Sequence, residues 1–119
     1  MAKISKTIVL TNASENTLYT VSDNKILYVK KVIVSADDGS ASGTTIGTPI
    51  VILADTTGSI SDTNTVLRIV QASLETNVYN LSNKDEGVRF LTAVRVQCPN
   101  YSGMSAGSKV TVTIVGEER

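Results

Sequence analysis

Apolar and polar residues alternate along most of this chain. The clearest run is "SKVTVTIVGE", where Val110, Val112 and Ile114 point one way and Thr111 and Thr113 the other. A period of two marks a strand with one face on a core and the other on solvent or a neighbour. "GVRFLTAVRVQC" extends the pattern, with Val88, Phe90, Val94, Val96 and Cys98 on one face. Arg89, Leu91, Ala93, Arg95 and Gln97 take the other. Further strands are expected at Ile4–Thr11, Thr17–Val21, Ile26–Ala36, Thr48–Asp55, Thr65–Ala72 and Asn77–Leu81. The turn clusters "NASEN", "SDNK", "DDGSASG", "DTTGSISDTN" and "SNKDEG" divide them. In "TNTVLRIVQASL" the spacing of Val66, Leu67, Ile69, Val70 and Leu74 also fits a helix, but the β-branched content and Thr-rich start favour a strand. About eight short strands without a convincing helix predict an all-β fold, an antiparallel β-sandwich or barrel, with residues 1–119 forming a single domain. The strand order, jelly roll or immunoglobulin-like, is left open by the pattern.

Composition supports this reading and narrows the chemistry. Val, Ile and Thr supply 40 of the 119 residues, types that suit a pleated, half-buried surface. A chain of this length can bury roughly two thirds of its unfolded surface in one core. The lone cysteine, Cys98, cannot close an internal disulfide, which argues against a secreted disulfide framework. The lack of histidine removes the commonest metal ligand and the commonest general base. No apolar run approaches the roughly 20 residues that span a bilayer, so no membrane partner is expected. The opening "MAKISKTIVLTNAS" has too short an apolar run for a signal peptide and reads as the first strand. Eleven basic residues balance eleven acidic ones, and aromatics are 4% of the chain. With neither a basic excess nor a stacking platform, no nucleic acid is expected as a partner.

Few residues suggest chemistry. Asp37, Asp38 and Asp55 end strands beside Gly-Ser loops; they could offer oxygens to calcium, or form Asx turns. Glu117, Glu118 and Arg119 read as a solvated charged tail, because adjacent strand residues point to opposite faces. Cys98 falls in the apolar register as a small buried hydrophobe, with no histidine to activate it. No catalytic, cofactor or metal residue is identified, and no enzyme activity is expected. The candidate contact residues are Lys30, Lys31, Arg89 and Arg95, which project from strands, and Tyr101 and Met104 in the loop "CPNYSGMSAGS". The four cations are solvated groups, guards against stray edge pairing, or contacts to an acidic partner. Tyr101 and Met104 form either a contact surface or a lid over the end of the sandwich.

Four segments carry a resemblance. "LYTVSDNKILYVKKVIVSA", "TPIVILAD", "VRFLTAVRVQC" and the closing "KVTVTIVGEE" resemble a pattern in small β-sandwich virion proteins of tailed bacteriophages. Leu18 to Val21 carry the first strand motif and Lys25 the turn. Val29, Val32 and Val34 mark the long strand, and Val110 to Glu117 the last. Ser22-Asp23-Asn24 stands where the pattern usually has Pro-Ala-Gly. The resemblance implies a jelly-roll-like sandwich on a virion, assembled in the host cytoplasm, without catalytic residues or cofactors. It implies a structural role, foremost a capsid decoration (cement) protein that binds and stabilises the assembled head. Its partners would be the major capsid protein or another virion protein, and its own copies as a homo-oligomer, a trimer. A second implied role is a tail, fibre or baseplate module that recognises a receptor or glycan.

Overall fold

A computed structural model describes residues 2–37, 48–71, 75–81, 87–101 and 108–119. They contain nine strands: β1 (Ala2–Leu10), β2 (Asn16–Thr20), β3 (Leu27–Asp37), β4 (Ile50–Asp55), β5 (Thr65–Val70), β6 (Thr76–Asn80), β7 (Val88–Phe90), β8 (Ala93–Gln97) and β9 (Lys109–Glu118). All pairings are antiparallel. The first sheet has the order β1-β9-β3-β6, with β7 also on β3; the second has the order β2-β8-β4-β5. Four antiparallel pairs, β1 with β9, β2 with β8, β3 with β6 and β4 with β5, are thus wound across two sheets. That is the jelly-roll order. In the segment whose spacing also fitted a helix, Thr65–Val70 form strand β5, and residues 72–74 lie outside the described residues.

The core lies between the sheets. The first contributes Leu10, Val29, Val32, Val34, Val112 and Ile114, and the second Val51, Leu53, Val94 and Val96, all essentially inaccessible to solvent. These β-branched and leucine side chains come from alternating positions, as the sequence pattern requires.

Two expectations need correction. "GVRFLTAVRVQC" is not one strand. Its first part, β7, pairs with β3 in the first sheet, and its second, β8, pairs with β2 and β4 in the second. The chain crosses between sheets at Leu91-Thr92, where the Asp55 carboxylate accepts the backbone N–H groups of Leu91 (2.9 Å), Thr92 (2.8 Å) and Ala93 (3.3 Å). Phe90 and Val94 are four positions apart, so the alternation passes through the corner in phase and hides it. Ala93, expected on the outer face, is fully buried there, and Leu91 is exposed. A second crossing, from β5 to β6, is held by buried Gln71. Its amide nitrogen donates to the Glu75 carbonyl (2.8 Å), and its amide oxygen accepts the Tyr79 hydroxyl (2.6 Å).

The closing residues are not a solvated tail. Glu118 ends β9 between β1 and β3 and is buried. Its carboxylate accepts the Tyr19 hydroxyl (2.8 Å), the Ser22 N–H (2.9 Å) and the Ser22 hydroxyl (2.9 Å), tying the first sheet to the β2 end of the second. Arg119 and Ile26 then exchange two backbone hydrogen bonds, each 2.9 Å. The Ser22-Asp23-Asn24 turn works without glycine because Asn24 takes the left-handed conformation (φ 61°), which asparagine tolerates.

Candidate functional site

The two outer faces of the sandwich differ. Outside the second sheet, the chain folds its own loops over the strands. Glu15, before β2, accepts the Ile60 N–H (2.6 Å), joining the β1–β2 and β4–β5 connections. Arg95 on β8 donates to the Gly58 carbonyl (3.1 Å) and the Thr17 hydroxyl (2.9 Å) and lies 3.6 Å from Glu15. Gln97 donates to the Ala13 carbonyl (2.9 Å). Arg95 is therefore a strut beneath these loops.

Outside the first sheet the outward side chains follow directly from the register, since directly paired residues share a face. One row is Val9, Thr111, Ser35 and Thr76. The next is Thr7, Thr113, Ile33 and Val78. Neither row carries a charge. Within them the Thr7 and Thr113 hydroxyls bond each other (2.8 Å), as do those of Ser35 and Thr76 (2.8 Å). The third row is Ser5, Val115, Lys31 and Asn80, and the last is Lys3, Glu117, Tyr28 and Arg89.

The charged end is organised around a β-bulge. Val29 pairs with Gly116 and Lys31 with Val115, so Lys30 is the extra residue. On the other edge of β3, pairing passes from β7 to β6 at the same residue, and the Leu81 N–H donates to the Lys30 carbonyl (2.7 Å). The bulge reverses the phase of β3: Leu27 and Val29 point inward before it, and Val32, Val34 and Ala36 after it. Lys30 ion-pairs with Glu117 (2.7 Å), and Arg119 reaches the other Glu117 oxygen (3.3 Å) while its guanidinium lies 4.5 Å from the Tyr28 ring centre. The Lys30 hydrogen bond holds the Glu117 carboxyl below the usual carboxylate value, helped by Arg119. Between Lys3, Ser5, Lys30 and Glu117 the surface dips into an open hollow of about 400 Å³.

Of the residues singled out in the sequence, Lys30, Lys31 and Arg89 thus gather at one end of this face. Arg95 sits on the opposite sheet. Tyr101 is half-buried against the core, and its hydroxyl donates to the Ser108 carbonyl. Met104 and Asp38 lie outside the described residues. Asp55 is engaged at the sheet crossing, and no group of three or more His, Cys, Asp or Glu among the described residues could hold a metal. Cys98 is buried, its thiol directed at the Asn100 side-chain oxygen (3.4 Å). The uncharged rows were signalled only by the Thr/Val alternation of β9; their partners on β1, β3 and β6 needed the register. Comparison with protein-family models, curated proteins and solved structures finds no match to this chain.

Proposed function

We propose that this chain is a structural virion protein of a tailed bacteriophage, a capsid decoration protein that binds the assembled head and stabilises it. The observation that carries the reading is the first sheet's outer face, four strands wide, with two adjacent uncharged rows of Thr, Val, Ile and Ser. Such a face suits packing against another protein surface. The resemblance of four sequence segments to phage virion sandwiches supports this setting, and the jelly-roll order is consistent with the fold that the resemblance implies. A protein that binds only assembled heads shifts the assembly equilibrium by mass action, and a lattice of copies turns modest single contacts into avidity. The homo-oligomer belongs to the same proposal.

The test is to mix the purified protein with heads of its source phage, sediment them and count bound copies. Decoration predicts binding to assembled heads at lattice stoichiometry, not to free capsid subunits, and a higher head-disruption temperature. A handful of copies per particle, with no change in head stability, rules decoration out.

A further inference from the structure

We infer that Lys6 closes the β1 edge of the first sheet to a second copy of this chain, and so decides which side of the sandwich is barred from self-association. This role is separate from the decoration reading and stands without it.

β1 is the longest opening for stray pairing. Among the described residues it borders only β9, so its other side presents backbone N–H and C=O groups that no strand takes up. It runs for nine residues, about 30 Å, and keeps register with β9 from Ala2 to Leu10 without a shift. The other edges are blunter. β2 and β5 have five and six residues, and each pairs with its neighbour through a register shift. The far edge of the first sheet is divided between β6, five residues, and β7, three. A long, straight edge is a template for another chain.

The β1 sequence suits self-pairing at every position but one. Two copies related by a two-fold axis through the sheet pair antiparallel, and opposed residues share a face. The full-length register is centred on Lys6. On the inner face it sets Ala2 against Leu10 and Ile4 against Ile8; on the outer face, Lys3 against Val9 and Ser5 against Thr7. Residue 6 meets its own copy. Two ammonium groups then stand on one face with their Cβ atoms about 4.5–5.5 Å apart, an opposition that destabilises a ladder. A slip by two residues shortens the ladder and moves Lys6 opposite Ile4 or Ile8. A slip by one sets inner faces against outer ones.

The surroundings of Lys6 explain why the charge is tolerated while the edge is open. Its neighbours on the inner row, Ile4, Ile8 and Leu10, pack on the core, and its partner across the ladder, Ile114, is buried. Lys6 itself is exposed, and its ammonium lies 5.9 Å from the centre of the Tyr19 ring on β2. It thus leaves the inner face through the seam between the two sheet edges, its stem on apolar surface and its head in water. A second copy beside β1 would close that seam over both ammonium groups. β1 holds no Asp or Glu to pair with them, and Glu118, behind Tyr19, is already engaged by Tyr19 and Ser22. Drying an unpaired charge is among the largest penalties in protein association.

The experiment compares the parent chain with Lys6→Val by sedimentation velocity from about 1 µM to 1 mM, the range that reports weak pairing. Lys6→Val removes the charge and keeps a strand-forming side chain. It should self-associate at least tenfold more tightly than the parent, toward twice the parent's mass. Hydrogen exchange locates the contact: in Lys6→Val the β1 amides that point away from β9 should slow as concentration rises, and in the parent they should stay fast. Lys6→Arg keeps the charge and should behave as the parent. Lys3→Val removes a β1 charge that does not meet its own copy, and it should also behave as the parent. Thermal melts should confirm that all three variants fold. Lys6→Val that sediments like the parent at every concentration overturns the inference. So does association that Lys3→Val or Lys6→Arg reproduces, or that leaves β1 exchange unchanged. A parent chain whose outward β1 amides are already slowed by concentration overturns it as well, because the edge would then be in use.

Discussion

Gly116 on β9 lies directly against the Tyr28 carbonyl of β3, where a Cβ on residue 116 would overlap the carbonyl oxygen and press on Val29 Cα. Gly87, at φ +92°, meets the Val29 carbonyl from the other side of the same strand. The two glycines clasp β3 just before its bulge and let three segments converge at Lys30. Backbone cannot retreat as a flexible side chain can, so Gly116→Ala should destabilise the protein by about 1–3 kcal/mol, the scale of overpacking with backbone displacement. Chemical denaturation with an unchanged slope would confirm it; a loss below about 0.5 kcal/mol, the range of ordinary surface changes, would show that β3 yields easily.

This bulge shows how much the sequence discloses. The inward positions of β3 run Leu27, Val29, then Val32, Val34 and Ala36, so the change of phase is legible at Lys30-Lys31. The alternation of β9 was equally plain. The corner at Leu91-Thr92 was not, because it spans an even number of residues and keeps the phase. Glu118 was misread for another reason: a terminal carboxylate is usually solvated, and its partners Tyr19 and Ser22 are roughly a hundred residues away. The outward rows shared this difficulty, since they depend on which strands become neighbours. Local period is written in the chain, whereas long-range pairing is set by the competition among all strands for partners.

Glu118 makes stability depend on acid. The Ser22 N–H, then the Tyr19 and Ser22 hydroxyls and the Lys25 charge, hold its carboxyl below the ordinary value of 4.5, against the opposing effect of burial. Because the folded-state value is depressed, its stabilisation is complete above about pH 4.5 and is lost as pH falls through the lower folded-state value. Glu117, lowered chiefly by Lys30, acts in the same direction. At the alkaline end, burial and then the bond to Glu118 raise the Tyr19 phenol above 10.0, so its contribution disappears as pH rises through that higher value. Glu118→Gln should lower stability at pH 7 by about 1–3 kcal/mol, the scale for hydrogen bonds to a charged group, and should flatten the acid limb of the melting-temperature profile. An unchanged acid limb would remove Glu118 from this role.

Asp55 should govern the crossing between sheets. Its carboxylate accepts three successive amides at Leu91, Thr92 and Ala93, and its own N–H donates to the Asn64 carbonyl (2.9 Å). Asp55→Ala should cost about 1–3 kcal/mol and speed hydrogen exchange at those three amides more than in the centre of β8. Asp55→Asn keeps one acceptor oxygen and should lose less. Equal exchange at residues 91–93 in Asp55→Ala and the parent chain would mean that the corner is held by the strands on either side.

Cys98 reports on opening of the sandwich. Its side chain is fully buried and directed at Asn100, whose side chain also accepts the Ile50 N–H (2.9 Å) and donates to the Thr48 carbonyl (2.9 Å). Burial pushes the thiol above its ordinary value of 9.0, against the lowering effect of its hydrogen bonds. Thiolate is the reactive form, so Cys98 lacks both access and charge in the native state. A disulfide reagent should label it at the rate at which the strand ends around Asn100 open, and completely in denaturant. Asn100→Ala frees the Ile50 amide and the Thr48 carbonyl together, so it should speed native labelling at least tenfold. Labelling that matched a free thiol in rate and pH dependence would mean that this end of the sandwich stands open.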